Sequence, residues 1–484
     1  MRVNLITLNN NYLNKWQLSD VQRAVMADLE LQPLIDAMAG EDRVIAQIST
    51  RLFFEPVTTN DLLKRRQATV QNALAQPEYY RWLYQFTTTT LAKLRHNFWE
   101  IGSESASYHL YSKSGLLTQY FDALDTLLHH PLPPDAAPAL NQLHANLKQI
   151  FGERLGRMRA LTKRTLFNNG YVLPARLTTD LALNVDEVAN VAPHRQFQKL
   201  FTKMDRHAAG FEIADRDDNS ARALANYKDR AVYPLATTLV NVYQEINDWF
   251  NELNLETGWL VGVINLSQRL PQTPRCYATL RPTMEVKQVI NPLIPLLLNK
   301  VAVANDYAPN QTSLTVITGA NQGGKTTFLR ALGLGQLMAQ AGMFTMAQRW
   351  QTEPFAMVLT HFKREEDQRE QHGKLDDELN RMNQLVKVMS RNSLMLMNES
   401  FASTNEHEGS AINWSITQGL LNVGLTVITV SHQYEYTQLI QKSGYQTYFL
   451  LAQRQTDGKR SYQVLPATPK VTSFGLDIYR RIIK

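Results

Sequence analysis

Gly319-Ala320-Asn321-Gln322-Gly323-Gly324-Lys325-Thr326 has the spacing G-x-x-x-x-G-K-[ST], and its neighbours supply the setting this spacing requires. The preceding Leu314-Thr315-Val316-Ile317-Thr318, a short β-branched run, predicts a buried parallel strand. The following Thr327-Phe328-Leu329-Arg330-Ala331-Leu332 predicts a helix start. Strand, glycine loop and helix together form a phosphate-binding turn. Gly319, Gly323 and Gly324 let the backbone curl so that its N–H groups face an anion, and the helix N-terminus adds its dipole. Lys325 would reach the β/γ-phosphates and the Thr326 hydroxyl would ligate Mg²⁺. The loop predicts a nucleotide site.

A chain of 484 residues exceeds one hydrophobic core, so two to four domains are expected. Its 44% hydrophobic and 19% charged residues describe an ordinary globular protein. The single cysteine, Cys276, excludes a disulfide framework and a cysteine metal centre. It suits a reducing compartment, and the expected location is the cytoplasm. Met1-Arg2-Val3-Asn4-Leu5 does not open a signal segment, and no uncharged apolar run reaches the length of about 18 residues that spans a bilayer, so no membrane partner is expected. The formal net charge of +6 leans mildly toward nucleic acid.

From about residue 15 to 260 the spacing is helical, as in Leu62, Arg66, Val70 and Leu74 followed by Tyr79, Trp82, Leu83 and Phe86. His130-Pro131-Leu132-Pro133-Pro134-Asp135-Ala136-Ala137-Pro138 reads as a linker between helical subdomains. A long helix is predicted over 221–253, and Pro271, Pro274 and Pro282 mark a boundary. Beyond about residue 283 strands and helices alternate, with strands predicted at 315–318, 355–359, 394–397, 426–430 and 447–451. The expected fold is multidomain: an all-α lever and core region followed by an α/β P-loop NTPase domain of the ABC-like kind. The expected divisions are a helical core at 1–130, a helical lever and clamp at 139–282, and the ATPase domain at 283–484.

Leu394-Met395-Leu396-Met397 followed by Asn398-Glu399 occupies the place of a Walker B segment, an apolar strand ending in acidic residues. Asn398 stands where a Mg²⁺-holding carboxylate is usual; it offers an amide oxygen without charge. Glu399 is the candidate general base. Thr426-Val427-Ile428-Thr429-Val430 ends in Ser431-His432, and a histidine there can hydrogen-bond a γ-phosphate. The mixed-charge run 364–378 reads as a solvated helix face or a mobile loop, with a partner's nucleotide or the helical half as its alternative contact. Arg154, Arg157, Arg159, Lys163 and Arg164 fall within eleven residues that include one acid, Glu153. Such a cluster is a solvated face or a phosphate-binding strip without base readout.

Residues 283–480 resemble the ATPase domain of the MutS family of DNA mismatch-repair proteins. Asn291-Pro292-Leu293-Ile294 resembles the family's His-Pro stretch, and Asn305-Asp306 its Asn-Asp pair beside the nucleotide. Residues 318–327 are close to T-G-x-N-x-G-G-K-S-T, so the resemblance implies ATP contacts from Gly319, Ala320, Asn321, Gln322, Gly323, Gly324, Lys325, Thr326, Thr327 and Asn305. It implies Mg²⁺ held by Thr326 and Asn398, with Glu399 and His432 as catalytic residues. Asn398-Glu399-Ser400-Phe401-Ala402-Ser403-Thr404-Asn405-Glu406-His407-Glu408-Gly409 follows D-E-x-x-x-G-T-[ST]-x-x-[DE]-G. Ser431-His432-Gln433-Tyr434-Glu435-Tyr436 is similar to T-H-x-x-E-L, and Ser473-Phe474-Gly475 to S-[YF]-G. More faintly, 52–85 resembles the start of the family's helical core and 249–278 its returning lever helix.

The departures are equally specific. No counterpart of the mismatch-reading and connector domains precedes the helical core, which implies a truncated MutS-like protein. Phe53-Phe54-Glu55 spells the reading domain's wedge but lies in the core-like region. The G-x-S-T-F signature that contacts a partner's nucleotide is replaced around Gly373-Lys374-Leu375, and no C-terminal helix-turn-helix extension follows Ser473-Phe474-Gly475. The resemblance implies ATP and Mg²⁺ as cofactors and a homodimer formed through the ATPase domain. It implies DNA as the other ligand, read by structure or backbone, with Arg154, Arg157 and Lys163 as candidate contacts. Two alternatives stay open: an ATP-gated binding module with very slow hydrolysis, and an ABC-like ATPase acting on a protein partner.

Overall fold

The computed structural model describes residues 2–7, 16–96, 105–166, 171–172, 175–177, 183–185, 189–190, 218–270, 273–319, 322–364, 373–454 and 460–469. They divide into two compact units: residues 1–4, 82–136 and 140–254 in the first, and 5–81, 137–139 and 255–484 in the second.

The first unit is built from helices Ala106–His129, Pro138–Phe151, Leu155–Thr165 and the greater part of Asp218–Arg269. Ser105 caps the first of these, and Asp229 reinforces the cap by accepting from the Ser107 backbone and from both serine hydroxyls. Leu110 packs with Val232 and Ala236, and the Tyr120 ring packs at a tilt on Phe250 while its hydroxyl donates to Asn247. The region read as all-helical also holds two short antiparallel pairs, Tyr171–Val172 with Ala189–Asn190 and Ala175–Leu177 with Leu183–Val185. The helix expected at 221–253 runs from Asp218 to Arg269 and continues through Pro234. Trp259, Leu260, Val263 and Ile264 continue its buried face toward Arg269.

Residues 62–86 form two helices, Asn60–Ala75 in the second unit and Pro77–His96, most of which belongs to the first; Pro77, lacking an N–H, suits a first helical turn. Phe53, buried at the end of helix Arg43–Phe54, belongs to the core, as its position in the sequence implied. The main sheet has six strands in the order Val358–Phe362, Leu394–Asn398, Thr426–Val430, Leu314–Gly319, Thr447–Arg454 and Arg460–Pro466. The first five are parallel and the last is antiparallel. The four strands from 314, 358, 394 and 426 are buried almost throughout, as expected for a parallel sheet covered on both faces. One face packs on Phe401, Trp414, Tyr436 and Ile440; helix Lys325–Gln340 lies against the other. A second sheet joins Thr279–Leu280, Arg349–Thr352, Glu285–Val289 and Asn305–Tyr307.

The strand expected at 355–359 begins three residues later. Phe355 is buried and its carbonyl accepts from Gln340 Nε2 at 2.6 Å, so this apolar residue serves the core and not the ladder.

The segment 5–7 is anchored inside the second unit. Leu5 N, Ile6 N and Thr7 Oγ1 donate to the fully buried Glu256 carboxylate at 2.7, 3.2 and 2.7 Å. Arg66 donates to Ile6 O at 2.6 Å and to Ala341 O at 3.2 Å, tying the segment to the end of the Lys325 helix. Gly342, at φ +78°, leaves room for Arg66, since a Cβ there would lie 2.8 Å from its side chain. Among the described residues no helix is long and apolar enough to cross a membrane.

Candidate functional site

Parallel register brings the carboxyl ends of three strands level: Asn398 opposite Val430, and Val430 opposite Ile317. Whatever follows each strand meets in one crevice, the usual place for ligands in such a sheet. Those followers are Glu399, Ser431-His432 and the glycine loop.

The loop has left-handed backbone at Gly319 (φ +115°), Gln322 (+61°) and Gly324 (+90°). Gly319 also needs its missing side chain, because a Cβ would stand 2.8 Å from the Ala452 carbonyl oxygen. Lys325 opens the following helix, is 4% exposed, and donates to Gly319 O at 2.9 Å. Burial pushes its ammonium down to about 8, opposed by the neighbouring Glu399 carboxylate. Thr326 Oγ1 donates to Asn398 Oδ1 at 3.0 Å, so the two oxygens read from the sequence as a metal pair are adjacent.

Glu399 Oε1 lies 2.9 Å from His432 Nε2. The hydrogen bond from His432 holds the Glu399 carboxyl below the ordinary carboxylate range against burial, helped by Lys325 and Lys363. Glu399 and Phe401 have φ of +52° and +56°, a region that L residues rarely adopt. The turn is held from behind. Glu399 N donates to Val430 O at 2.9 Å, Gln433 Nε2 to Phe401 O at 3.1 Å, and Asn413 Nδ2 to Gln433 Oε1 at 3.1 Å. Gly409 admits this turn, since a Cβ there would lie 2.4 Å from Phe401 O.

Beside the loop is a cavity of about 400 Å³ lined by Asn291, Asn305, Thr327, Phe328, Val301 and Tyr462, among others. The Asn305 amide bridges backbone at Tyr462 O (3.1 Å) and Val464 N (2.7 Å), and Asn291 Nδ2 donates to Thr327 O at 3.2 Å. Both asparagines thus shape the cavity wall through main-chain contacts. Arg460 Nη2 donates to the Gln322 side chain, and the Tyr462 ring lies against Gly324. Sequence reading missed Arg460, Tyr462, Asn413 and Gln433 as site residues. The first two sit on a strand whose antiparallel return carries no local motif; the other two are ordinary amides whose meaning depends on a fold-level encounter.

Ala320 and Asn321 lie outside the described residues, as do 365–372 of the charged run and Ser473-Phe474-Gly475. Helix Lys374–Val388 begins within the end of that run. In the first unit, Arg154, Arg157, Lys163 and Arg164 are exposed around helix Leu155–Thr165, whose inner side buries Leu155 and Thr162. Arg159 is not one of the exposed cations: it pairs with Asp122 at 3.0 Å and Asp125 at 3.2 Å.

A family model described as the MutS2 N-terminal domain matches residues 58–273, and one described as MutS domain V matches residues 315–482. Among curated proteins, the DNA mismatch repair protein MutS of Streptococcus uberis is 21% identical over 510 aligned residues, covering 99% of this chain and 56% of that protein. MutS of Thermotoga petrophila is 30% identical over 156 residues, 32% of this chain and 20% of its own. The endonuclease MutS2 of Thermus thermophilus is 29% identical over 181 residues, 36% of this chain and 23% of its own. The chain therefore spans between 20% and 56% of the length of these relatives.

Proposed function

The chain belongs to the MutS family, and from that premise we propose that it binds and hydrolyses ATP with Mg²⁺ and couples nucleotide state to its helical half on DNA. In this reading residues 283–484 are a P-loop ATPase domain that works as a pair, and the helices at 1–130 and 139–282 are core, lever and clamp. The observation that carries it is the meeting of Lys325, Thr326–Asn398 and Glu399–His432 at the ends of three parallel strands.

The donor set suits a hard cation. Thr326 and Asn398 offer two uncharged oxygens 3.0 Å apart. That is the arrangement for Mg²⁺, which binds few protein oxygens and takes the rest from water and phosphates. Bound there, the ion would neutralise charge developing on the phosphates. Lys325 supplies the cation opposite the β/γ-phosphates, and the loop amides surround them. Glu399 orients the attacking water and accepts its proton, while His432 fixes the carboxylate and registers the γ-phosphate. The cavity beside Tyr462 and Phe328 takes the base and sugar. Asn305 lines that cavity, and Gln322, in the loop itself, is held by Arg460.

One residue favours a second reading with slow turnover: Asn398 stands where a carboxylate is usual and adds no charge to hold the metal. In that reading closure on ATP is the output.

The test is steady-state ATP hydrolysis by the full chain with Mg²⁺, measured alone and with homoduplex, mismatched or branched DNA. A rate that changes with DNA and vanishes in Lys325→Ala is expected. Turnover indifferent to every DNA would favour a protein partner, and no nucleotide binding would end the ATPase reading.

A further inference from the structure

We infer that His361 is a positioning residue for Glu399, tying helix Lys374–Val388 to the turn that carries the proposed base. The inference rests on the reading of Glu399 as that base.

His361 is on the edge strand Val358–Phe362 and is 1% exposed. Its Nε2 lies 3.0 Å from the Glu378 carbonyl oxygen, which can only accept, so Nε2 carries the proton. Burial, with Arg381 nearby, pushes the ring down to about 4 and keeps it neutral. Nδ1 is therefore a bare acceptor, 2.8 Å from the Ser400 hydroxyl. That hydroxyl also lies 2.8 Å from the His361 carbonyl, so its single proton serves the two acceptors of one residue. The imidazole further stacks on Phe401, with ring centroids 5.1 Å apart and planes at 21°. One side chain thus grips the two residues that directly follow Glu399.

The grip matters because of the backbone there. Glu399 and Phe401 both hold left-handed φ, which persists only where surroundings over-determine it. Gln433 and Asn413 restrain the turn from one side, through Phe401 O and Ser400 O. His361 restrains it from the other, and its far nitrogen is bonded to Glu378 on helix Lys374–Val388. A leucine would fill the same volume without desolvating two ring nitrogens. The polar choice makes sense where two segments distant in sequence must keep one register. Any shift of that helix, which begins within the end of the charged run, would be passed by His361 to the turn that carries Glu399.

The experiment separates ATP affinity, measured by titration with a fluorescent ATP analogue, from single-turnover hydrolysis of ATP by the full chain. The variants are His361→Leu, which removes both ring contacts, and Ser400→Ala, which removes one and carries the test if the first fails to fold. Each is made alone and with Glu399→Gln. Misplacing a reacting group by about 1 Å costs up to about 100-fold, so His361→Leu should slow hydrolysis roughly 10- to 100-fold with affinity unchanged. Placed on Glu399→Gln, it should add no further loss, because residues acting as one unit are non-additive. Undiminished hydrolysis in His361→Leu alongside a loss in Glu399→Gln overturns the positioning role and leaves the base assignment standing. Equal losses of affinity and rate, or full additivity, overturn it as well. Undiminished hydrolysis in Glu399→Gln overturns both.

Discussion

Around Lys325, the groups that matter are held in place: Lys325 by Gly319 of its own loop, Thr326 by Asn398 and Glu399 by His432 from other segments. On helix Leu155–Thr165 the cations Arg154, Arg157, Lys163 and Arg164 stand exposed, and the exception, Arg159, is spent on two aspartates. The first arrangement fixes polar groups in advance and shifts their proton affinities; the second leaves them solvated and adaptable. Preorganised groups suit a small ligand met in one geometry. Solvated cations suit a polyanion whose phosphates displace counterions without a fixed pose. Charge alone therefore says less about a site than the number of independent elements that converge on it.

The sharpest way to break this contrast is Lys325→Ala. A charge-assisted contact to phosphate contributes about 1.5–3 kcal/mol, so ATP affinity should fall roughly 10- to 150-fold in calorimetric titration. Wild-type affinity should itself decline as pH rises through about 8, since the buried ammonium, lowered from its ordinary value, loses its proton there. The decline should approach tenfold per pH unit and be absent from the alanine variant. The sign for folding is opposite: between about 8 and the ordinary lysine value the unfolded chain binds more protons, so this residue's contribution to stability rises with pH. Equal affinity in the variant would remove Lys325 from the site.

Asn398→Asp sharpens the comparison by adding charge where the site lacks it. The carboxylate should lower the Mg²⁺ concentration giving half-maximal hydrolysis and quicken turnover. An effect of about 1–2 kcal/mol is expected, because Thr326 and the phosphates already serve the ion. Weaker Mg²⁺ dependence with slower turnover would mean that the amide is tuned to another geometry.

The smallest effect is expected on the helix. Neutralising Arg154, Arg157 and Lys163 together should reduce the slope of log affinity for duplex DNA against log salt by at most about 3. Arg159→Ala should instead cost under about 1 kcal/mol of stability, since a partly exposed ion pair contributes little, and leave that slope nearly unmoved. A larger slope change from Arg159 than from the three exposed cations would reverse the assignment.

Much of this was legible in the chain because strand, loop and helix are each local. The strands at 314, 394, 426 and 447 stand where β-branched or apolar runs predict them, and so do the residues that follow them. What stayed hidden depends on encounters between distant segments. No spacing links Gln433 to Phe401 or Asn413 to Gln433, and an amide reads the same on a surface as in a buried network. Phe355 misled because an apolar residue before a strand is indistinguishable from its first member. Arg159 falls in the basic cluster by spacing, and its pairing is invisible there because its acids lie more than thirty residues away.

The anchoring of segment 5–7 on Glu256 has a consequence for the order in which the chain is made. Leu5 and its acceptor are 251 residues apart. At about 5–20 residues per second of synthesis, roughly 12–50 s separate their emergence. Throughout that interval Leu5, Ile6 and Arg66 exist without the carboxylate and the Ala341 carbonyl that complete their bonding. Segment 5–7 is thus locked long after it is made, and the second unit closes only after the helix that supplies Glu256 and the helix capped by Ala341 have both appeared.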